Sequence, residues 1–247
     1  MRLQACGGAR DRDRRQARCL LGRGMKPIPT LAEVRAQDDA HLRETTVDSR
    51  GVYRGAFLDV RCDRVRLPDG HEAVREYVVH PGAVMVVPLL PDGRLLMERQ
   101  WRHPMRGPML EFPAGKLDAG ERVLACAVRE LAEETGHRAR EWARAGRLHN
   151  AIAYSDEVIE VWFARGLEAG ERRLDAGEFL DVCSASEDEL DGLARTGVVT
   201  DAKTLIGLLW LQNWRAGRWP LDWIVVADTP GGTGVKRPGD AGRIMPR

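Results

Sequence analysis

The feature that most constrains the fold of this 247-residue chain is its segment 115–137, GKLDAGERVLACAVRELAEETGH. Apolar residues recur there at intervals of three and four, from Leu124 to Leu131, which predicts an amphipathic helix over 122–135. Gly136 follows at the position of a helix C-cap. One face of this helix is therefore expected to pack in the core, while the adjoining face carries a cluster of glutamates.

The three clustered glutamates are Glu130, Glu133 and Glu134. Because a helix turns about 100° per residue, their side chains project within an arc of roughly 100°. Like charges this close repel one another unless a cation neutralises them, and hard divalent cations with oxygen ligands do so. A solvated acidic helix face is the alternative explanation, and the three glutamates alone do not exclude it.

The rest of the chain argues against several classes of protein. Its 38 basic and 37 acidic residues leave no global charge that would favour nucleic acid. Its longest apolar run, 83–87 extended by Leu89 and Leu90, is too short to span a bilayer. The cysteines are odd in number and scattered, which predicts reduced thiols and a cytoplasmic protein rather than a disulfide framework. They are Cys6, Cys19, Cys62, Cys126 and Cys183.

Strand and turn signals surround the predicted helix. Segments 57–79 and 83–101 each alternate apolar and polar residues around a Pro-Asp-Gly turn, so each is predicted to form a β-hairpin. Two later apolar segments, 157–167 and 178–184, predict further strands. Strands mixed with a few helices indicate an α/β layered fold rather than a helix bundle or a β-sandwich.

Two more helices are predicted towards the C-terminal end. A capping-box pattern from Ser186 to Glu189 marks the start of one of them. The strongly apolar segment 201–215 predicts the other, with Leu209 among the residues expected to face inward.

The spacing around the glutamates is more specific than the cluster itself. The segment reads G-x5-E-x7-R-E-U-x-E-E-x-G, where U is an aliphatic residue, and this pattern resembles the signature of the Nudix hydrolases. It is carried by Gly115, Glu121, Arg129, Glu130, Leu131, Glu133, Glu134 and Gly136. One position departs from the family, since His137 stands where an aliphatic residue usually closes the signature.

The resemblance implies a Nudix-type α/β/α sandwich with a mixed β-sheet, preceded by a small N-terminal antiparallel β-hairpin or sheet. It implies a Nudix hydrolase domain over 81–217 and an N-terminal β subdomain over 45–80, which would dimerise and form part of the pocket. Residues 1–26 are predicted to be a disordered basic tail, with Met25 as an alternative start. Residues 228–247 are rich in Gly and Pro, and are predicted to be a disordered C-terminal tail.

Members of the family bind a divalent metal, usually Mg²⁺ with Mn²⁺ as a substitute, against a diphosphate. By this resemblance Glu130 and Glu134 are metal ligands, Glu133 is a ligand or supports one, and the main-chain carbonyl of Ala114 completes the site. Arg129 would orient the carboxylates through charge-assisted hydrogen bonds, and it is counted with Glu133 among the catalytic residues. Because bound metal activates water and polarises phosphorus, direct attack by water is expected.

Three further acids receive roles from the resemblance. Glu121 would brace the loop or join the metal cluster, and a surface ion pair with Arg129 is the alternative. Glu178, on a loop ahead of a later strand, is the candidate general base, with Asp175 as the weaker candidate. A turn carboxylate that is merely solvated is the alternative for Glu178.

The flanks of the signature resemble those of ADP-ribose pyrophosphatases and related nucleoside diphosphate sugar hydrolases. A strand ends in a Gln-Trp-Arg element at Arg102, so Arg102 and Arg99 are the candidate contacts to the diphosphate, unless they are solvent-exposed strand residues. Glu157, in a Ser-Asp-Glu element, is a candidate contact to substrate or metal. This subfamily usually carries a proline just before that element, and 150–154 has none, which leaves the sugar open.

The resemblance therefore implies a metal-dependent enzyme that cleaves ADP-ribose to AMP and ribose 5-phosphate. GDP-mannose, UDP-sugars and NADH are alternative substrates. A non-catalytic Nudix ligand sensor is an alternative of another class, although every acidic position of the signature is filled. The expected partners are a nucleoside diphosphate derivative and a second copy of the chain, with neither nucleic acid nor membrane.

Overall fold

The computed structural model describes residues 28–227 and 234–236. The predicted N-terminal tail, 1–26, and the alternative start within it lie outside the described residues. Of the predicted C-terminal tail, 228–247, three residues are described, and they form a strand. The described residues form two compact units, of which the smaller comprises 28–46 and 65–73, and the larger comprises 47–64, 74–227 and 234–236.

Twelve strands and four α-helices lie within the described residues. The strands are β1 (Thr45–Arg54), β2 (Asp59–Arg66), β3 (Glu72–Val79), β4 (Ala83–Pro88), β5 (Leu95–Arg102), β6 (Gly107–Glu111), β7 (Ala114–Lys116), β8 (His137–Leu148), β9 (Ile159–Ala169), β10 (Leu180–Ala185), β11 (Trp223–Ala227) and β12 (Gly234–Lys236). The helices are α1 (Leu31–Arg35), α2 (Val123–Thr135), α3 (Glu187–Arg195) and α4 (Ala202–Arg215). Among the strands, β1, β6, β7, β8, β11 and β12 were not predicted from the sequence.

The smaller unit is held by local hydrogen bonds. Helix α1 begins with a capping box, in which the Thr30 hydroxyl accepts from the Glu33 N–H at 3.3 Å and the Glu33 carboxylate accepts from the Thr30 N–H at 2.7 Å. The tip of the β2–β3 connection closes where the Leu67 N–H donates to the His71 carbonyl at 2.8 Å. Gly70 adopts a φ of 89° in this turn, a conformation that glycine accepts without strain.

A six-stranded sheet with the order β12-β11-β8-β9-β4-β7 forms the centre of the larger unit. It is mixed, because β4 pairs parallel with β9 and antiparallel with β7. Alternate residues of β4 enter two cores, since Met85 packs with Leu208 of α4, and Val84 packs with Leu131 of α2. The two helices therefore cover opposite faces of the sheet, and the predicted α/β/α sandwich is confirmed.

The strand–turn–strand predicted over 83–101 is present, but its two arms pair only next to the turn, at an antiparallel bridge between Leu89 and Leu95. Both edges of β4 are occupied by β7 and β9, whereas β5 pairs with β6 and β10 in a separate three-stranded sheet. The Gly93 N–H donates to the Leu90 carbonyl at 2.9 Å and closes the turn. The turn therefore passes the chain from the central sheet into a second sheet. The strands β2 and β3, predicted over 57–79, are neighbours in a third sheet with the order β1-β2-β3.

Helix α2 agrees with the sequence pattern, and α4 departs from it at one position. Gly136 caps α2 with a left-handed φ of 72°. In α4, Leu209 is exposed and the prediction that it faces inward is wrong, because polar Lys203 and Thr204 occupy the buried stripe instead. The Thr204 hydroxyl accepts from the Phe112 N–H at 3.2 Å, which satisfies it in the core.

Two further findings concern membrane-spanning helices and the state of the cysteines. None of the helices in the described part of the chain is both long and apolar enough to cross a membrane. Cys62, Cys126 and Cys183 are free thiols. The predicted cytoplasmic location stays a prediction.

Candidate active site

A cavity of about 440 Å³ lies beside α2 and brings together most of the predicted site residues. Those that line it are Arg102, Ala114, Glu130, Glu134, Glu157 and Glu178. A wider depression of about 690 Å³ adjoins this acidic cavity. The two share Phe57, His80, Arg102, Asn150, Glu157 and Lys203 in their walls.

Arg129 lies outside the acidic cavity and binds three carboxylates. Its Nε and Nη2 donate to Glu121 at 2.9 and 2.8 Å, and its Nη1 donates to Glu130 at 2.8 Å and to Glu133 at 3.0 Å. Its Nη2 also donates to the Lys116 carbonyl at 3.1 Å. The hydrogen bonds from Arg129 lower the pKa of Glu121 to about 2. Arg129 therefore ties the loop of the signature to its helix and fixes where the Glu130 carboxylate lies.

Gly115 makes room for Glu130 at the edge of the acidic cavity. A Cβ atom at position 115 would overlap the Glu130 carboxyl group, so a larger residue would displace that side chain. Burial raises the pKa of Glu130 to about 7, with Arg129 acting against the rise and the charges of Glu133 and Glu178 adding to it. The first position of the signature is therefore glycine because any side chain there would collide with Glu130.

Two acids, Glu134 and Glu98, lie deeper than Glu130. They are 5% and 4% exposed, and their carboxyl groups lie close enough for each to shift the pKa of the other. Glu134 also accepts from the Ala114 N–H at 3.1 Å, whereas Oε1 of Glu98 has no hydrogen-bond partner among the described residues. Burial raises the pKa of both carboxyl groups, and the repulsion between the two raises that of Glu134 further.

The oxygen atoms at the acidic cavity fit a divalent cation by their chemistry. Carboxylates of Glu130 and Glu134 lie with the main chain of Ala114, and hard cations take such oxygen ligands. As the side chains stand, no three Asp, Glu, His or Cys residues of the described ranges are grouped as metal ligands. Arg129 holds Glu130, and Glu134 faces Glu98, so an entering ion requires these carboxylates to rotate about their soft terminal torsions.

A buried ion-pair network lies at the junction of the two cavities. Nε and Nη2 of Arg102 donate to Glu111 at 2.6 and 2.9 Å, and Nζ of Lys203 contacts Glu111 and donates to Asp201 at 3.0 Å. Burial alone would raise the pKa of Glu111, but the hydrogen bonds from Arg102 and Lys203 outweigh it and lower that pKa. The remaining nitrogen of Arg102, Nη1, makes no hydrogen bond to a described residue, and this side chain is 43% exposed. It can therefore meet an anionic ligand.

Two further predicted site residues, Arg99 and Glu178, differ in whether they reach the acidic cavity. Arg99 lies outside both cavities and pairs with Asp181 at 3.4 Å. Glu178 lines the acidic cavity from a turn in which its N–H donates to the Asp175 carbonyl at 3.0 Å. Of the two candidate bases, Glu178 is therefore the one whose side chain reaches this cavity.

Four residues of the site were not predicted from the sequence, and they are Glu98, Glu111, Lys203 and His80. Nε2 of His80 lies 3.5 Å from Oε1 of Glu157 in the wall that the two cavities share. A signal existed for Glu98, because alternation along β5 places it on the face that lines the acidic cavity. Glu111 and Lys203 are 92 residues apart, so no local pattern joins them.

Comparison with known proteins identifies the family. A sequence model of the NUDIX domain matches residues 79–209, which is more than half of the chain. The chain belongs to the NUDIX family. A second model, of the nucleoside diphosphate sugar hydrolase N-terminal domain, matches residues 44–78 of this Nudix hydrolase. The family and the hydrolase class predicted from the signature are thereby confirmed.

Several named proteins are similar to this Nudix hydrolase. The ADP-ribose pyrophosphatase of Bacillus subtilis is 35% identical over 173 residues, covering 69% of this chain and 94% of that protein. The methanol dehydrogenase activator of Bacillus methanolicus is 33% identical and covers 68% and 92%. The ADP-ribose pyrophosphatase of Mycobacterium tuberculosis is 41% identical over 123 residues, or 49% and 59%. A crystal structure of an ADP compounds hydrolase shares the fold, with a TM-score of 0.65 at 24% identity over 71% of this chain and 96% of that one.

Proposed function

We propose that this Nudix hydrolase cleaves the diphosphate bond of ADP-ribose, or of a related nucleoside diphosphate sugar, with the help of a bound Mg²⁺ or Mn²⁺. The products are a nucleoside monophosphate and a sugar phosphate. The observation that carries the proposal is that the acidic side chains of Glu130 and Glu134 share one cavity with two cationic side chains, those of Arg102 and Lys203. Acidic side chains without a bound cation would repel a diphosphate. Cationic side chains alone would bind the diphosphate but would not activate a water molecule, which a metal ion held by the acids can do.

The two adjoining cavities support a substrate with two distinct ends. The diphosphate would lie in the acidic cavity, and the nucleoside or sugar would lie in the wider depression, where Met105 and Tyr154 expose apolar surface. Phe57, from the N-terminal part of the larger unit, lines both cavities, and Glu157 lies in their shared wall as the proposed substrate contact. Two similar proteins named ADP-ribose pyrophosphatase favour ADP-ribose as the substrate.

The residues of the site divide the work of hydrolysis. A bound cation neutralises phosphate oxygens and lowers the pKa of coordinated water. Glu130, Glu134 and the Ala114 carbonyl would hold that cation. Arg102 offers Nη1 to a phosphate oxygen, while its other two nitrogens stay in the ion-pair network. Glu178 takes the proton from the attacking water as general base.

A substrate panel tests this proposal directly. The protein is incubated with Mg²⁺ and, separately, with ADP-ribose, GDP-mannose, UDP-glucose, NADH or ATP, and the products are separated by chromatography. We expect AMP and ribose 5-phosphate from ADP-ribose, no turnover in EDTA, and a loss of about 100-fold or more in Glu134→Gln. The exposed Glu168→Gln serves as the matched control and should retain full activity.

Three outcomes of that panel, combined with calorimetry of ADP-ribose binding, count against the proposal in different ways. Faster turnover of another sugar nucleotide would replace ADP-ribose as the substrate. Comparable turnover of ATP would contradict the assignment to sugar nucleotides. Binding of ADP-ribose without any turnover would identify a ligand sensor instead of an enzyme.

We also propose that the chain forms a homodimer through its N-terminal sheet. All ten residues of β1 are exposed, and this edge strand presents the apolar side chains of Val47, Val52 and Tyr53. An exposed edge strand offers unpaired N–H and C=O groups with which a strand of another chain can pair. Light scattering should give about twice the chain mass of 27.6 kDa, and Val52→Lys should lower it. A wild-type mass of one chain would contradict the homodimer.

A further inference from the structure

Glu98 is a buried acid at the site that lies outside the Nudix signature. Because side chains alternate along β5, Glu98 is on the same face as Gln100 and Arg102, and both of these line the acidic cavity. Its carboxyl group meets that of Glu134, which comes from α2. Glu98 therefore approaches the cluster of acids from the strand side, whereas Glu130 and Glu134 approach it from the helix.

No basic side chain of the described residues binds the carboxyl group of Glu98. This residue is 4% exposed, and its Oε1 has no hydrogen-bond partner in the described ranges. Glu111 lies directly opposite it on β6 and is equally buried, but Arg102 and Lys203 both bind Glu111. One acid of this cross-strand pair thus has two cations, and the other forms no salt bridge with a described residue.

Burying an acid without a hydrogen-bond partner costs free energy, and a bound ion is one of the few explanations for such a group in a folded protein. Glu98 lies beside Glu134, a second buried acid, whose only hydrogen bond to a described residue comes from the Ala114 N–H. A divalent cation beside them would convert two mutually repelling groups into a neutral assembly.

We propose that Glu98 is an additional carboxylate of the divalent-cation site, acting with Glu134 from the strand side. The inference rests on the proposed function, since it assumes that a cation binds at Glu130 and Glu134. Glu98 adds a negative charge on the buried side of the ion. It thereby raises the affinity of this Nudix hydrolase for the ion before any substrate is present.

Titration of the metal-free protein with MnCl₂, followed by calorimetry without substrate, tests this role. The variants are Glu98→Gln and Glu134→Gln, which keep the side-chain shape, with Glu168→Gln as a matched control on an exposed part of β9. We expect Glu98→Gln to weaken Mn²⁺ binding by about tenfold or more, as loss of a supporting metal-site group does. Glu168→Gln should bind Mn²⁺ as the wild type does.

The outcomes separate this inference from the proposed function. If Glu98→Gln binds Mn²⁺ as tightly as Glu168→Gln while Glu134→Gln does not, Glu98 has no part in the cation site and the proposed function still stands. If the wild type itself takes up no Mn²⁺ at millimolar concentrations, the cation-dependent function fails together with the inference.

A second variant guards against a trivial folding defect. Glu98→Met replaces a buried polar group that lacks a full set of partners by an apolar one, so its melting temperature in EDTA should equal or exceed that of the wild type. The rise in melting temperature caused by Mn²⁺ should be smaller in this variant, because that rise grows with affinity. A lower melting temperature in EDTA with an undiminished Mn²⁺-induced rise would show that Glu98 serves packing alone.

Discussion

Replacing Lys203 by Met tests the ion-pair network at the junction of the two cavities. Lys203 is 9% exposed, and its loss removes one of the two cations that neutralise buried Glu111. Glu111 keeps Arg102, and Asp201 keeps the N–H and hydroxyl of Thr204 at 2.9 and 2.6 Å. The cost therefore lies between that of a hydrogen bond to a charged group, about 2 kcal/mol, and that of a broken buried ion pair, about 4 kcal/mol. We expect a loss of about 3 kcal/mol.

Urea denaturation at pH 7.5 in EDTA measures that loss, and the melting temperature should fall by roughly 6 to 12 °C. The variant Glu111→Gln should be destabilised as well. The double variant should lose about 2 kcal/mol less than the sum of the two single losses, because each single change leaves a buried charge short of a partner. Lys116→Met, at an exposed lysine, is the matched control and should cost less than about 1 kcal/mol.

Two results would refute this reasoning about the network. A loss below about 1 kcal/mol in Lys203→Met would mean that Arg102 alone neutralises the carboxylate of Glu111. Strict additivity in the double variant would mean that Lys203 and Glu111 do not stabilise each other.

Three further predictions concern the signature and the loop beyond it. Gly115→Ala should weaken Mn²⁺ binding about tenfold but lower the melting temperature by less than about 4 °C, because the new Cβ displaces only the flexible end of Glu130. Glu121→Gln should cost on the order of 3 kcal/mol at pH 7, since Arg129 lowers the pKa of Glu121 to about 2 from an ordinary 4.5. A carboxylate with a lowered folded pKa stabilises the fold above its unfolded pKa, so urea titrations should show this cost shrinking as pH falls from about 5 towards 2. Glu178→Gln should lower kcat by about 100-fold with little change in KM.

Each of these three predictions has an outcome that contradicts it. An unchanged Mn²⁺ affinity in Gly115→Ala would mean that the first signature glycine does not influence the cation site. A stability difference that stays constant with pH in Glu121→Gln would rule out the ion pair with Arg129 as its cause. An unchanged kcat in Glu178→Gln would mean that Glu178 is a solvated turn carboxylate and not the general base.

The local features of the fold were accessible from the sequence, and the pairing of distant elements was not. The rhythm of apolar residues and Gly136 predicted α2, and the Ser186–Glu189 pattern predicted the capping box that begins α3. A Pro-Asp-Gly sequence predicts a local turn but not which strands pair beyond it, so a hairpin was expected after β4. Which sheet receives β5 depends on β7, β9 and β10, whose partners are far along the chain.

The site divides in the same way. Spacing within one helix predicted Glu130, Glu133 and Glu134, and the structure ties the first two to Arg129. Buried polar residues elsewhere gave no such signal. Lys203 lies in a strongly apolar helix, where apolar periodicity favours hydrophobic residues for the buried stripe, and its partner is on a distant strand.

The position of β4 within the central sheet also has a consequence for how this enzyme is made. Both strands that flank it, β7 and β9, are synthesised after it, and all six of its residues end up buried. During synthesis the apolar strand β4 therefore stays without its partner until β9, which ends at Ala169, has left the ribosome. The pairing of β4 with β9 forms late because the two strands are far apart in the sequence. We expect translation arrested ahead of Ile159 to yield a nascent chain that chaperones bind and that has no active site.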